Sequence, residues 1–258
     1  MTADRTVHFF ATCLADQFRP ESALAAARVL EEAGCDVRFD PRQTCCGQPA
    51  LNLGHLDEAR TVAARTLGLY EGTEGPIVVP SGSCATTMAK LYPGLFAGTP
   101  HAEQAAAFAA RVLEWSAFVV HTLGWRPAAR LGLEPVAVHH ACHGLRELGL
   151  VEEARILLEA AGHPLVELPG ADECCGFGGA FSVLMPEMSG RILRTKLDNI
   201  ETAVRQGART IASLDAGCLM QMASGHERKL GCAEGDGPCP RYRHVAELLA
   251  GGDDAPPS

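Results

Sequence analysis

Hydrophobic positions in the first part of the chain follow two periods, one typical of strands and one of helices. Residues 7–10 form a short apolar run, and residues 37 and 39 are apolar between charged neighbours, as in strands. Between these segments, residues 20–33 carry apolar side chains every three or four positions, which predicts a helix that Gly34 ends. A helix over 55–70 and a buried strand over 76–80 follow. This alternation predicts an α/β arrangement.

The same succession returns later in the chain. Strands are predicted over 136–138, 166–168 and 208–214, and helices over 148–161 and 186–204. We therefore expect two duplicated, Rossmann-like α/β halves with parallel sheets. The expected division is a first repeat over 1–100, a helical connector over 101–134, a second repeat over 135–250 and a disordered tail over 251–258. The Ala-rich connector predicts one long helix from about His101 to Leu123.

The cysteines repeat together with the predicted elements. Three cysteines of the first half have counterparts in the second half at the same distance along the sequence, which is called the repeat offset below. Each half contains one pair of adjacent cysteines, and a glycine follows each pair. The corresponding positions are Cys13 and Cys142, Cys45 and Cys174, and Cys46 and Cys175. A further cysteine closes each half, Cys84 in the first and Cys218 in the second. Repetition of both spacing and context indicates an internal duplication.

Composition narrows the classes of function. The net charge is −9, and because an acidic surface repels phosphate backbones, nucleic acid is not expected as a partner. No apolar run reaches the roughly 18 residues of a membrane span, and the beginning of the chain lacks a signal-peptide layout. These features predict a cytoplasmic protein. In that compartment 11 cysteines indicate metal or redox chemistry rather than a disulfide scaffold.

The repeated cysteines are the candidate ligands. Each follows a predicted strand, and the carboxyl ends of parallel strands meet at one edge of a sheet. We expect four thiols to converge in each half: Cys13, Cys45, Cys46 and Cys84 form the first cysteine set, and Cys142, Cys174, Cys175 and Cys218 form the second. Four thiolates without paired histidines favour iron–sulfur or zinc. The chain lacks the Cys-x2-Cys spacing usual for zinc, and adjacent cysteines suit neighbouring metals, so a cluster is favoured.

Two other interpretations stay open. One is a structural zinc module that scaffolds a complex, and the other is a vicinal-dithiol redox protein. The redox interpretation is weaker because disulfide rings between adjacent residues are strained and no Cys-x-x-Cys motif is present. The glycines after Cys175 allow backbone N–H groups to approach sulfur. The same glycines do not match a dinucleotide-binding motif, because Phe181 stands where that motif has its last glycine.

Several segments around these cysteines resemble a known family. They are Cys45-Cys46-Gly47-Gln48-Pro49 and the segments 80–84, 142–149, 172–182 and 215–220. They resemble the cysteine-rich (CCG) domain found in heterodisulfide reductase and in the iron–sulfur subunits of glycolate oxidase and anaerobic glycerol-3-phosphate dehydrogenase. The resemblance is closest to the lactate utilization protein A family and extends over residues 6–250.

This resemblance implies an iron–sulfur electron-transfer subunit of a multi-protein system that oxidises L-lactate to pyruvate, and thus an oxidoreductase subunit. Its cofactors would be iron–sulfur clusters, one 4Fe–4S group in each repeat, held by the eight cysteines. The implied partners are two further lactate-utilization proteins, one of them ferredoxin-like, with L-lactate or an electron acceptor.

The chain departs from heterodisulfide reductase at the end of each cysteine set. There a terminal Cys-x2-Cys adds a fifth thiolate, whereas here Ser81 and Asp215 stand three residues before the last cysteines. A cluster with four thiolates, or with an added oxygen ligand, is the simpler expectation. Ser81, Asp215 and His143 are therefore candidates for supporting the cluster.

Other residues are assigned plainer roles. Cys35 is expected to be structural, and Cys232 and Cys239 to be surface thiols rather than a further metal pair. His139 is expected to be packed or solvent-facing. Side chains that would bind a carboxylate such as lactate also fit solvated helix faces, which we prefer; they are Arg146, Arg191 and Lys196.

Overall fold

A computed structural model describes residues 5–236 and 239–250. The first half begins with a βαβ arrangement and ends with a fourth strand. Its elements are β1 (Thr6–Phe9), α1 (Cys13–Phe18), α2 (Pro20–Glu32), β2 (Asp36–Phe39), α3 (Gln48–Asn52), α4 (Leu56–Leu69), β3 (Ile77–Val79), α5 (Gly82–Thr86), α6 (Tyr92–Leu95), α7 (Ala102–Ala109), β4 (Val112–Glu114) and α8 (Trp115–Ala117). Two π-helical segments, Thr87–Leu91 and Phe118–Thr122, continue α5 and α8. The strands pair in parallel in the order β2-β1-β3-β4.

The second half repeats this order in a smaller sheet. Its elements are β5 (Val136–His139), α9 (Cys142–Leu148), α10 (Glu153–Ala161), α11 (Ala180–Leu184), α12 (Pro186–Arg205), β6 (Thr210–Ser213), α13 (Ala216–Leu230), β7 (Arg241–His244) and α14 (Val245–Leu249). The strands again pair in parallel, in the order β5-β6-β7. The predicted α/β fold with two parallel sheets is therefore confirmed.

The strand predicted over 166–168 is wrong in its extent. Only Leu165 forms a bridge, parallel to Val136, where the first half has the whole of β2. Pro164 and Pro169 flank this segment, and because proline has no N–H to donate, the pairing with β5 cannot be extended through either of them. The helix predicted over 148–161 is also divided, since Gly149 adopts a left-handed φ of 72° and ends α9 at Leu148.

The long helix predicted from His101 to Leu123 is wrong. Helix α7 ends at Ala109, and the chain then forms β4 on the open edge of β3. The N–H of Ile77 donates to the carbonyl of Arg111 at 2.8 Å, so pairing with the sheet replaces helical hydrogen bonds at this point. Part of the predicted connector is thus the last strand of the first sheet.

The two halves share a hydrophobic core between them. Val29 of α2 and Trp115 lie in the same buried cluster as Leu157 and Val245 from the second half. The indole N–H of Trp115 donates to the carbonyl of Ala26 at 3.0 Å, and α14 packs against α2. Two further clusters lie one within each half. The fold therefore holds the halves against each other through burial of apolar surface.

Glu114 is buried at the junction of β4 and α8 and gives a prediction on pH. Its carboxylate accepts from the N–H groups of Ser116 and Ala117 at 2.8 and 3.1 Å, but burial raises its pKa from 4.5 to about 7. Because the folded state binds the proton more tightly, this group stabilises the fold below about pH 4.5 and the effect is lost as the pH rises to about 7. Relative to Glu114→Gln, the free energy of unfolding of the wild type should fall by about 3 kcal/mol across that window.

Urea unfolding of both proteins at several pH values measures this difference. The glutamine side chain of the variant keeps an acceptor for the same N–H groups, so the variant serves as the non-titrating reference. A difference between the two proteins that stays constant from pH 4 to pH 8 would contradict the prediction.

Two further predictions concern the end of the chain. Cys232 and Cys239 form a disulfide, so the expectation of two free surface thiols is wrong; the loop that joins them brings their Cα atoms to 6.2 Å, within bonding reach. The predicted disordered tail over 251–258 lies outside the described residues.

Among the helices of the described parts, none combines the length and the apolar character that a membrane crossing requires.

Candidate metal centre

The first cysteine set comes together where three strands of the first sheet give way to loops and helices. Cys13 begins α1 after β1, Cys84 lies in α5 after β3, and the vicinal pair follows β2. The sulfurs of Cys46 and Cys84 are 3.4 Å apart, and the thiol of Cys13 hydrogen-bonds with Cys45. Cys46 and Cys84 are buried, whereas Cys13 and Cys45 are half-buried. Four thiols therefore form one continuous group.

The second cysteine set has the same construction. Cys142 begins α9 after β5, and Cys218 lies in α13 after β6. The sulfurs of Cys175 and Cys218 are 3.2 Å apart, and Cys142 hydrogen-bonds with Cys174. Again one pair is buried and the other half-buried. The repeated spacing in the sequence thus corresponds to repeated geometry.

All eight cysteines line one cavity of about 400 Å³ between the two halves. The two sets face each other across it because α5 and α9, which carry Cys84 and Cys142, pack together. At their crossing, a Cβ added to Gly82 would lie 2.9 Å from the Cα of Gly144, so only glycine permits this approach. The two sheet edges that the sequence places apart therefore form a single site.

The glycine after each vicinal pair gives the backbone its turn. Gly47 and Gly176 have φ values of 84° and 87°, which other residues rarely adopt. Their N–H groups approach the sulfurs of Cys45 and Cys174 at 3.4 and 3.3 Å. Such N–H···S contacts stabilise negative charge on sulfur, which a metal-binding thiolate carries.

Contacts among the thiols move their pKa values apart. A hydrogen bond from Cys13 lowers the pKa of Cys45 well below its usual value, and the same contact raises the pKa of Cys13. Cys142 acts on the pKa of Cys174 in the same way. Each set therefore presents one half-buried sulfur that ionises readily, and the thiolate is the form that binds metals.

Ser81 and Asp215, two of the candidate supporting residues, meet between the halves. They are the N-caps of α5 and α13, and the hydroxyl of Ser81 donates to the carboxylate of Asp215 at 2.9 Å. That carboxylate also accepts from the N–H groups of Ser83 and Gly217, each at 3.1 Å. Both residues line the cavity, and their oxygens already take part in hydrogen bonds within the protein. Their support for a cluster stays a prediction.

Replacing Asp215 by alanine should lower the free energy of unfolding by about 2–4 kcal/mol, because the cap of α13 and the contact between the halves lose their acceptor. Asp215→Asn keeps one acceptor oxygen and should lose less. Urea unfolding of the metal-free protein measures both. Asp57→Ala, which removes an exposed carboxylate from α4, is the control and should change stability by less than about 1 kcal/mol. Equal effects at the two aspartates would contradict the prediction.

His143 lies beside the second set, as its position after Cys142 suggests. Its Nδ1 is 3.8 Å from the sulfur of Cys142, and its Nε2 is 3.5 Å from the side-chain amide of Gln48 in the first half. It therefore lines the cavity from the second half and contacts the first. A role in supporting a cluster stays a prediction.

His139 is the residue near the site that the sequence interpretation undervalued. It is buried at the end of β5, and a ring nitrogen and the sulfurs of Cys175 and Cys218 all lie within 4.8 Å of one another. Burial, together with the charge of Lys196, lowers the pKa of His139 to about 3, so the imidazole is neutral. The signal in the sequence is that Phe10 occupies the corresponding position of the first repeat, at the same repeat offset as the cysteines.

Other side chains lie apart from the site or differ from expectation. Lys196 is buried in α12, so the prediction of a solvated helix face is wrong for this residue; the helix turns it towards the carbonyl of Gly170, to which its ammonium donates. Arg146 and Arg191 are exposed, as a solvated face requires. Cys35 is buried in the hydrophobic core that the halves share.

The fold and the two four-thiol sets define a duplicated, cysteine-rich α/β protein. The cysteine-rich (CCG) domain family matches residues 7–89 and 136–223, one range within each predicted repeat. The chain is 37% identical over 245 residues to lactate utilization protein A of Bacillus velezensis and to that of Bacillus subtilis, covering 94% of this chain and 98% of each relative. It is 36% identical to lactate utilization protein A 1 of Bacillus cereus over the same shares. The chain therefore belongs to the lactate utilization protein A family of CCG-domain proteins.

A solved structure supports the fold alone. A hypothetical protein from Helicobacter pylori aligns with a TM-score of 0.66 and 9% sequence identity over 97% of this chain. The aligned region is 50% of that protein, so this chain spans about half of its length.

Proposed function

We propose that this chain is an iron–sulfur electron-transfer subunit of a multi-protein system that oxidises L-lactate to pyruvate. The observation that carries the proposal is the convergence of all eight repeated cysteines, in two sets of four, on one cavity. Thiolate-only sets of this kind are typical ligands of iron–sulfur clusters.

The donor chemistry and the space fit such a group. Each set supplies four sulfurs, two buried and two half-buried, with one N–H group directed at the outer sulfur of the vicinal pair. The cavity of about 400 Å³ exceeds what single metal ions need, since a whole water molecule takes about 30 Å³ of liquid. The first set would hold one cluster and the second set another. This room favours clusters over a structural zinc module.

When bound, a cluster of this type accepts and returns single electrons. The protein's own contribution is to hold the thiolates and to set their electrostatic surroundings. Gly47 and Gly176 donate N–H groups to sulfur, and burial of one pair of sulfurs in each set limits their contact with water. Since both sets line the same cavity, we propose that electrons pass between the two clusters within it.

The biological context of the proposal comes from the relatives. Their name supports a role in lactate utilization for this chain too, and we propose that the chain fills this role as an oxidoreductase subunit. We propose that it acts in the cytoplasm with two further lactate-utilization proteins, one of them ferredoxin-like. Electrons from L-lactate would reach this chain, or leave it, through those partners.

The proposal is tested with the full chain purified and reconstituted under anaerobic conditions. Iron and acid-labile sulfide are measured per chain, and about eight of each are expected for two 4Fe–4S groups. With both partner proteins present, addition of L-lactate should bleach the visible absorbance of the clusters. Addition of L-lactate to the isolated chain is the control that locates substrate oxidation.

Two outcomes would overturn the proposal. Protein that stays colourless and free of iron after reconstitution would exclude the cluster. Zinc in stoichiometric amount without sulfide would instead support the zinc scaffold.

A further inference from the structure

A buried imidazole with a ring nitrogen unpartnered in the described parts of the chain lies beside the second cysteine set. His139 is 1% exposed, and neither of its ring nitrogens has a hydrogen-bond partner among the described residues. The nearby carbonyl of Ala171 raises the pKa of the ring, but it already accepts from the backbone N–H of His140 at 3.0 Å. It can face at most one of the two ring nitrogens, so the other nitrogen is left without a partner in the part of the chain that the structure describes. A buried polar group without a partner costs free energy, so such groups are rare unless a ligand satisfies them. A ring nitrogen lies within 4.8 Å of the sulfurs of both Cys175 and Cys218, which places it beside the thiols.

The first cysteine set has no such group. The residue that corresponds to His139 by the repeat offset is Phe10, which is completely buried in the core of the first half. A phenyl ring has no lone pair to offer a metal. The two sets are therefore alike in their thiols but differ at this position.

A second difference concerns charge. A Cβ at Gly47 would approach the carbonyl of Ala59, and one at Gly176 would approach that of Ser189, so α4 and α12 correspond with an offset larger by one position than that of the cysteines. The counterpart of the buried Lys196 is then Thr66, which is buried and neutral.

Lys196 interacts electrostatically with Glu173 and with the thiols of Cys175 and Cys218, but no ion pair within 4.0 Å joins it to a carboxylate of the described residues. A buried ammonium without a close counter-charge is costly, and a thiolate-bound group that carries negative charge supplies one. The second set thus has a buried cation nearby that suits a bound anionic centre, whereas the corresponding position beside the first set is neutral.

We propose that His139 is a fifth donor to the metal group of the second cysteine set, so that the two sets hold chemically different centres. The inference rests on the proposed function for the identity of the metal group, but its geometry is that of this chain's own residues. A neutral imidazole provides a nitrogen lone pair, and nitrogen donors combine with thiolates in known iron sites.

The test is pulsed EPR of the anaerobically reconstituted full chain, partly reduced, with histidine labelled with ¹⁵N. In the wild type, one of two centres should show nitrogen coupling that changes with the isotope. His139→Phe, which copies Phe10, should lose this coupling. His140→Phe is the matched control, since it alters the next residue, which is only half-buried, and should keep the coupling.

A second variant guards against loss of folding. His139→Cys keeps a donor at this position, so it should retain the iron of the second set while losing the nitrogen coupling. Wild-type protein without histidine coupling, or a coupling of directly bound strength that survives in either variant at position 139, would overturn the inference; His143, 3.8 Å from the sulfur of Cys142, can give only a weaker coupling.

Failure of the proposed function gives a different result. If the wild type binds no iron and sulfide, the same proteins are titrated with Co²⁺ alone and followed by ¹H NMR. Wild-type protein should then show a strongly shifted, exchangeable imidazole N–H signal that is absent from His139→Phe. Its absence from the wild type would overturn the inference independently of the cluster.

Discussion

Cys174→Ser should bind about half as much iron and sulfide as the wild type. Cys174 is the thiol of the second set whose pKa is lowered, and serine oxygen is a poorer donor for iron than thiolate sulfur. The first set keeps all four of its thiols, so its centre should remain. Cys45→Ser should give the complementary loss, and the double variant should bind almost none.

Iron and sulfide analysis after anaerobic reconstitution measures these losses, and EPR tells which centre remains. Cys35→Ser is the matched control, because Cys35 is buried in the shared core and lies away from the cavity. It should retain the full iron content even if it is less stable. Retention of all iron in Cys174→Ser, or an equal loss in Cys35→Ser, would argue against the two four-thiol sets.

Gly82→Ala should destabilise the fold and disturb both metal sites together. The new Cβ would lie 2.9 Å from the Cα and 3.0 Å from the N of Gly144, and because both are backbone atoms they cannot turn away. Overpacking of this kind costs about 1–3 kcal/mol. Helices α5 and α9 carry Cys84 and Cys142, so their separation moves one ligand of each set. We expect a loss of iron from both centres rather than from one.

Thermal unfolding and iron analysis measure the two effects. Gly68→Ala is the control, since Gly68 lies in α4 with nothing within 4 Å of an added Cβ, and alanine is the better helix former. It should be neutral or slightly stabilising. If Gly82→Ala unfolds like the wild type, or loses only one centre, the close crossing of the two helices is not what positions the sites.

The cysteine positions predicted which thiols come together, because an internal repeat is visible in the sequence itself. The repeat offset relates Cys13 to Cys142, and the structure shows the same geometry in the two cysteine sets. The apolar periods likewise predicted α2, α4 and α12 nearly to their ends. These features depend on local sequence, so local sequence reveals them.

The last strand of each sheet was missed for an identifiable reason. Strand β7 has the sequence Arg-Tyr-Arg-His, and β4 has three residues next to an Ala-rich helix. Neither has the apolar run of a buried strand. Each forms because an edge of its sheet is open to pairing, which is a property of the assembled sheet.

Contacts between the two halves could not be predicted from local sequence patterns. The two sets line one cavity because the halves pack face to face, and no spacing within either half encodes that packing. The meeting of Ser81 with Asp215 follows from the same packing. The position of His139 could have been noticed from the sequence, because alignment of the two repeats places a histidine where the first repeat has Phe10.

The hydrogen bond from Ser81 to Asp215 joins corresponding positions, each three residues before the last cysteine of its set. In a symmetric homodimer built from one repeat, each of these positions would meet its own copy. Two aspartates there would repel each other, and neither could donate. Fusion of the repeats into one chain removes this constraint, so a donor can evolve on one side and an acceptor on the other. The contact therefore joins corresponding positions with different side chains, and two identical, separate repeats could not form it.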